Sequence, residues 1–299
     1  MKSGFISLIG RPNAGKSTLI NQIMERKIAI VSAKPQTTRT RITGIFTTPD
    51  AQMVLVDTPG IHKPKHRLDQ YMVEAARSTI YEGDVIFYVV DASVPFGPGE
   101  KFILDCLAEV DAPVFLLLNK IDMMSPEQIM RSIVQWQTRR EFAEIFPLSA
   151  ERGDNVDRLI ETAKGYLMDG PSFYPEDAVT DQPETIVMAE LIREKILRLT
   201  EEEVPHSVAV VIEHQERDEH DDKLIVHAAI YTERDTQKAI IIGKQGSMIK
   251  RIGTAARRDI EELLGEKIYL KLWVRVKANW RNREGMLHDL GYDIDDFND

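Results

Sequence analysis

Cysteine is nearly absent from this 299-residue sequence: Cys106 stands alone. That excludes an internal disulfide framework and fits a reducing compartment. Long apolar runs are missing as well. No stretch approaches the roughly 18 apolar residues needed to span a bilayer, and Phe5-Ile6-Ser7-Leu8-Ile9 is too short for a signal peptide. A cytoplasmic protein is expected, with a peripheral membrane contact left open. The sequence has no internal repeat and no low-complexity tract. Excess positive charge is lacking too: 38 Lys and Arg stand against 48 Asp and Glu, for a net charge of −10. As an average, that balance argues against a nucleic-acid partner, because phosphate repels an acidic surface. What is present, at 43% apolar content, suffices to bury a full core, and the length suggests two domains.

The average charge conceals a local excess. Residues 238–283 carry 12 basic and 4 acidic side chains, whereas 176–235 carry 6 against 17 and 284–299 none against 6. A basic segment flanked by two acidic ones requires a role. The last, 284–299, reads either as a solubilising acidic tail or as an electrostatic competitor for the basic surface.

Short apolar runs alternate with amphipathic stretches over the first 170 residues, the signature of a mostly parallel sheet covered by helices. Strands are expected at Phe5 to Ile9, Gln52 to Val56, Val85 to Val90, Val114 to Leu118 and Ile145 to Leu148. Helices are expected from Lys16, near Leu68, near Gly99, after Ser125 and near Val156. Residues 171–183 follow Gly170 with three prolines and no apolar periodicity, and read as a linker. Beyond them a helix from Glu184 to Glu203, strands at Val208 to Ile212 and Leu224 to Tyr231, a helix from Ser247 to about Leu264 and a strand from Lys267 to Lys277 are expected. The division is 1–170, linker 171–183, second domain 184–283 and tail 284–299.

Gly10-Arg11-Pro12-Asn13-Ala14-Gly15-Lys16-Ser17, followed by Thr18, sits between a strand and a helix and matches a phosphate-binding loop. Glycines let the backbone N–H groups point inward at phosphate, and the helix N-terminus adds positive potential. Lys16 is expected to reach the terminal phosphates and Ser17 to bind Mg2+. Asp57-Thr58-Pro59-Gly60 ends a strand where Asp57 can hold the metal through water and the Gly60 N–H can meet the terminal phosphate. Asn119-Lys120-Ile121-Asp122 carries base selectivity. The Asp122 carboxylate can accept from the guanine ring N–H and exocyclic amine, whereas adenine leaves it unpaired. Ser149-Ala150, after a further strand, is placed to support the base through backbone N–H groups.

These elements, in this order, resemble translation-factor-like GTPases, and Thr37-Thr38-Arg39 resembles their first switch segment. The resemblance implies GTP or GDP and Mg2+ as ligands. It gives Ser17, Thr38 and, through water, Asp57 as the metal set, with Thr37 the alternative to Thr38. Lys16, Thr38 and Gly60 are the expected catalytic residues. Ile61 stands where Ras-like GTPases carry a water-orienting glutamine, and an aliphatic side chain cannot hydrogen-bond water, so slow intrinsic turnover is expected. Asn13 resembles GTPases that place K+ beside the phosphates, though it can also serve simply as a cap of the loop.

In the second domain, Gly243-Lys244-Gln245-Gly246 has the Gly-x-x-Gly turn of a KH domain, where glycines let a sugar-phosphate strand come close. Lys244, Lys250, Arg251, Arg257 and Arg258 fall on or beside the turn and its following helix, while Lys271, Arg275 and Lys277 alternate along the last strand. Trp273 shares that alternation and is either a stacking surface or core.

The whole pattern is similar to that of the Era-like family of bacterial GTPases, including Gln36-Thr37-Thr38-Arg39, residues 273–280 from Trp273 to Trp280, and Leu290-Gly291-Tyr292. The implied fold is an α/β P-loop GTPase domain followed by an α+β type II KH domain. The implied partners are the 3′ region of small-subunit ribosomal RNA and the assembling small ribosomal subunit, with a monomer expected and a location in the cytoplasm or on the inner face of the membrane. One rival is a signalling or membrane-associated GTPase whose second domain binds protein. Another is an RNA-binding protein with a vestigial nucleotide site, against which the intact Lys16, Ser17, Asp57 and Asp122 argue.

Overall fold

A computed structural model describes the chain except for residues 33, 35, 63 and 293–299. It divides into two compact units, one formed by Met1–Lys65 with Asp69–Asp181 and one running from Gln182 onward.

The first unit is a seven-stranded sheet. Its elements are β1 (Lys2–Ile9), α1 (Lys16–Met24), β2 (Ile42–Thr47), β3 (Ala51–Asp57), α2 (Arg67–Glu82), β4 (Val85–Asp91), α3 (Pro98–Leu107), β5 (Val114–Asn119), α4 (Pro126–Gln137), β6 (Glu144–Pro147), α5 (Val156–Lys164) and β7 (Met168–Asp169). Strand order is β2-β3-β1-β4-β5-β6, with β7 on the side of β1. β1 runs parallel to both β3 and β4, so the chain crosses to one side of β1 and then to the other. That reversal makes the C-terminal end of β1 a topological switch point, where doubly wound sheets bind ligands.

Alternate residues of the central strands enter two separate cores. Phe87, Val89, Phe115 and Leu117 pack with α1 and α5 through Leu19, Ile20 and Leu159. Ile86, Tyr88, Leu116 and Leu118 pack with α2, α3 and α4 through Ile80, Ile103 and Trp136. Burial on both faces explains why these strands read as continuous apolar runs rather than alternating ones. α4 begins with Ser125, whose Oγ accepts from the Gln128 N–H while the Gln128 side chain takes the Ser125 N–H, and Pro126 fills the first helical position.

Two features depart from the sequence reading. β2, an antiparallel edge strand registered from Ile42↔Asp57 to Thr47↔Gln52, was not expected. Residues 171–183 are not a free linker over most of their length. Gln52, fully buried, accepts from the Phe173 and Tyr174 N–H groups at 2.7 and 3.0 Å and donates to the Tyr174 carbonyl at 3.0 Å. The Val179 carbonyl accepts the Ile45 N–H at 2.8 Å.

The second unit comprises α6 (Glu184–Leu199), β8 (Ala209–Arg217), β9 (Leu224–Thr232), α7 (Asp235–Ile242), α8 (Ser247–Leu264), β10 (Ile268–Val276) and α9 (Glu284–Asp289). Its sheet has the order β10-β9-β8, with β9 and β10 parallel and β8 antiparallel. α8 buries Ile252, Ala256 and Ile260 at four-residue spacing. α7 was not read from the sequence. The acidic stretch read as a tail from 284 is folded at its start: Leu287 and Tyr292 are buried, and Tyr292 stacks on the buried Trp280. The rest of that stretch, 293–299, lies outside the described residues.

Candidate nucleotide site and nucleic-acid interface

Four loops at the C-terminal ends of β1, β3, β5 and β6 bring the expected nucleotide residues together. A cavity of about 340 Å³ opens among them, lined by Pro12, Asn13, Gly15, Lys16, Ser17, Thr18, Gln36, Thr37, Thr38, Gly60 and Lys120 among others. Glycine lets the loop after β1 curl tightly and lets the loop after β3 come up against it. Gly15 has φ +102°, and a Cβ there would stand 2.1 Å from Asn119 Nδ2. A Cβ on Gly60 would stand 2.5 Å from the Pro12 nitrogen.

At one end of the cavity three oxygens converge. Ser17 Oγ donates to Asp57 Oδ2 at 2.6 Å, Thr38 Oγ1 donates to the same oxygen at 3.2 Å, and the two hydroxyls are 2.9 Å apart. Asp57 is fully buried, and its Oδ1 has no hydrogen-bond partner. Thr37, by contrast, spends its hydroxyl on the Lys34 carbonyl at 2.7 Å. Hard oxygen donors around a buried carboxylate suit a divalent cation of the Mg2+ type, and the orphaned Oδ1 is the acceptor such an ion or its water would satisfy. Lys16 is buried with its Nζ donating to the Gly10 and Arg11 carbonyls at 3.2 Å each. Burial pushes the Lys16 ammonium pKa down and the Asp57 carboxyl pKa up, and each charge partly offsets the shift of the other.

On the Lys120 side, Asn119, which does not line the cavity, ties the loops to one another. Its Nδ2 donates to the Ala14 carbonyl at 2.8 Å and its Oδ1 accepts the Ala150 N–H at 2.9 Å. Lys120, in the left-handed region at φ 67°, pairs with Asp91 at 2.5 Å. Ser149 Oγ accepts the Arg152 N–H at 3.2 Å and donates to Asp122 Oδ1 at 2.7 Å. A carboxylate oriented in this way presents acceptors only, which is what guanine's adjacent N–H groups require.

Three residues read as nucleotide-binding hold the loops instead of facing the cavity through their side chains. Arg11 NH1 bonds both oxygens of the buried Glu100 at 3.1 Å. Thr58 donates to the Leu8 carbonyl at 2.7 Å. Ile61 packs among Ile9, Ala76 and Ile80, and its N–H donates to the Gly10 carbonyl at 3.2 Å. Pro59 is buried between Thr58 and Gly60. Gln36, part of the segment that carries the resemblance but given no role there, forms part of the cavity wall.

In the second unit, Gly243 and Gly246 adopt φ +72° and +75°, and Gln245 between them φ 51°. A Cβ on Gly243 would stand 2.7 Å from Met248 Cβ. The turn joins α7 to α8 and leaves Lys244 and Gln245 exposed. Beside it lies a groove of about 380 Å³ lined by Ile249, Lys250, Gly253, Thr254, Arg257, Leu270 and Leu272. The cations expected here separate: Lys250 and Arg257, seven residues apart, border the groove, while Arg251 and Arg258 lie about 100° further round α8. Leu270 and Leu272 face the groove, so Lys271, Trp273 and Arg275 project from the opposite side of β10. Trp273 is 52% exposed and is not core.

A model of the 50S ribosome-binding GTPase family matches residues 5–120, and a KH-domain model matches residues 203–281. The solved structure of a single-substitution variant of Era from Aquifex aeolicus, bound to GDP.AlF4-, is 38% identical, with 98% of this chain and 100% of that one covered and a TM-score of 0.95. A second, Era in complex with MgGDPNP and nucleotides 1506–1542 of 16S ribosomal RNA, is 39% identical, covering 98% and 99% of the two chains, again with a TM-score of 0.95. The chain belongs to the Era family. Its first unit is a P-loop GTPase domain and its second a KH domain. The rival reading, in which the second domain binds protein, is not favoured. Among the described residues, no helix is long and apolar enough to cross a membrane.

Proposed function

We propose that the chain is a GTP-hydrolysing switch that binds the 3′ region of small-subunit ribosomal RNA and assists assembly of the small subunit in the cytoplasm. The observation that carries this reading is the convergence of Ser17, Thr38 and Asp57 with Lys16, opposite Asn119, Asp122 and Ser149, in a chain similar over 98% of its length to an RNA-bound relative. Ser17, Thr38 and, through water, Asp57 would hold Mg2+, which would supply positive charge against the phosphates. Lys16 leaves the loop carbonyls for the phosphate oxygens, a move favoured because its buried ammonium then gains an anionic partner. Asp122, fixed by Ser149, selects guanine. Ile61 lies in the core and orients no water, so intrinsic turnover is slow.

On the second unit, Gly243 to Gly246 with Lys244, Lys250 and Arg257 form the RNA surface, and the start of α8 offers N–H groups to phosphate. Arg251 and Arg258 contribute long-range attraction rather than groove contacts. The test is binding of an RNA with the sequence of nucleotides 1506–1542 of 16S ribosomal RNA in the presence of MgGDPNP. Affinity should fall as salt rises, and Lys244→Glu should weaken it and lower the slope of log K against log salt by about 0.7, one single-strand phosphate contact. Binding that is absent, or indifferent to salt, defeats the proposal.

A further inference from the structure

Between the first switch segment, which carries Thr38, and the loop after β3 that carries Gly60, taken as the second, lies a polar cluster, Gln36, His62 and Asp69, that the expected roles leave unused. Gln36 stands two residues before Thr38 with a left-handed φ of 61°, and His62 stands two residues after Gly60. Gln36 Nε2 donates to Asp69 Oδ1 at 2.8 Å and lies 3.1 Å from His62 Nε2. His62 Nδ1 lies 2.8 Å from the Gly60 carbonyl oxygen. A carbonyl can only accept, so the ring hydrogen belongs on Nδ1, and in the neutral ring Nε2 is then an acceptor. The Gln36 amide has two hydrogens, and the cluster uses one on the carboxylate and one on the ring. Asp69 is 2% exposed, and its other oxygen accepts the Lys65 N–H at 2.8 Å. His62 Nε2 also lies 3.6 Å from Asp69 Oδ1, so Gln36 and His62 meet at one carboxylate, and the loop carrying Thr38 is tied to the loop carrying Gly60.

The tie bears directly on the phosphate end of the cavity. The peptide joining Gly60 to Ile61 is held on both sides, its carbonyl by His62 and its N–H by the Gly10 carbonyl at 3.2 Å. Fixing that peptide plane restricts the backbone at Gly60, while Gln36 restricts the approach to Thr38. Loss of either hold lets one switch segment drift while the other remains, and a displacement of about 1 Å in a positioned group costs up to about 100-fold in rate. Ile61 lies in the core and supplies nothing polar here.

We propose that His62 is a positioning residue for GTP hydrolysis: acting through the Gly60 carbonyl and the Gln36 amide, it latches the two switch segments so that Thr38 and Gly60 stand at the terminal phosphate together. The inference rests on the nucleotide-site reading above. His62 touches no reacting atom; its effect is on when the surrounding groups are in place. A merely structural contact would shift stability and leave the ratio of kcat to KM effects undirected. The latch lowers kcat and spares ground-state binding, since the cluster lies on the switch segments and not on the base-selecting loops.

The experiment uses the full chain, with Gln36→Ala, His62→Ala and the double substitution, measuring steady-state GTP hydrolysis and the affinity for a fluorescent mant-GDP. Each single change should lower kcat about tenfold, the loss of one or two oriented hydrogen bonds, with KM and mant-GDP affinity within about twofold of the parent. The double variant should be no slower than the slower single, because one latch is broken either way. His62→Asn, whose amide keeps a donor near the Nδ1 position, replaces the alanine variant if that one melts early, and should retain more activity than Gln36→Ala with His62→Ala. Single variants that hydrolyse at the parent rate, or losses that multiply in the double variant, overturn the latch. A parent chain that binds no mant-GDP overturns the nucleotide-site reading instead.

Discussion

Replacing Asp122 by Asn should exchange guanine for xanthine, and the hydrogen bonds around Ser149 say why. Ser149 Oγ accepts the Arg152 N–H, so its own hydrogen is committed to Asp122 Oδ1 at 2.7 Å. An asparagine placed here must offer its carbonyl oxygen to that hydroxyl, which turns its NH2 group toward the base. Guanine presents N–H donors at the same place, so two charge-assisted hydrogen bonds are lost and donors are set against donors. At about 1.5–3 kcal/mol for each bond to a charged group, the loss is about 3–6 kcal/mol, or roughly 10²–10⁴ in Kd. Xanthine carries a carbonyl in place of the exocyclic amine and accepts from the new amide. Competition of GDP and XDP against mant-GDP in the parent, and against mant-XDP in the variant, reads both constants. Guanine affinity unchanged in the variant, or no gain for xanthine, would refute the assignment of Asp122 as the base-selecting residue.

Gly15→Ala should break the loop it belongs to. A Cβ there meets Asn119 Nδ2 at 2.1 Å on a backbone of φ +102°, so the bond from Asn119 to the Ala14 carbonyl must give way. A cost of about 2–4 kcal/mol is expected, seen as an earlier thermal melt without nucleotide together with lost mant-GDP binding. Asn13, on the cavity wall, is expected to help hold K+ beside the phosphates. Hydrolysis should then be faster in potassium than in sodium buffer, with the difference abolished by Asn13→Ala; equal rates in the two salts would leave Asn13 as a cap of the loop.

The nucleotide loops were legible because their chemistry requires particular residues at fixed spacing after strands, and the strands declared themselves as apolar runs buried on both faces. β2 escaped notice because Ile42–Thr47 is half polar and interrupted by Gly44; its existence depends on pairing with β3 rather than on its own pattern. α7 was hidden because Ile240, Ile241 and Ile242 form a run with no helical periodicity, and its place is fixed by the turn at Gly243. The stretch 171–183 has linker composition, yet Gln52 supplies three hydrogen bonds to it from more than a hundred residues away. Tertiary partners of that kind leave no local trace. The same holds for Gln36 and His62, ordinary loop residues until the fold brings them to 3.1 Å. Ile61 shows the converse: its position in the motif marked it as the substitute for a water-orienting residue, and its burial gives the physical reason it cannot act as one.

A GTP-hydrolysing switch controls its RNA surface only where the two nucleotide states differ in RNA affinity. The direct measurement is the Kd of the full chain for the RNA of nucleotides 1506–1542 with MgGDPNP bound, against the same chain with MgGDP, at one salt concentration. The account predicts tighter binding with MgGDPNP by about 5–150-fold, the usual range for a coupling free energy of 1–3 kcal/mol. Equal affinities in the two nucleotide states would contradict it.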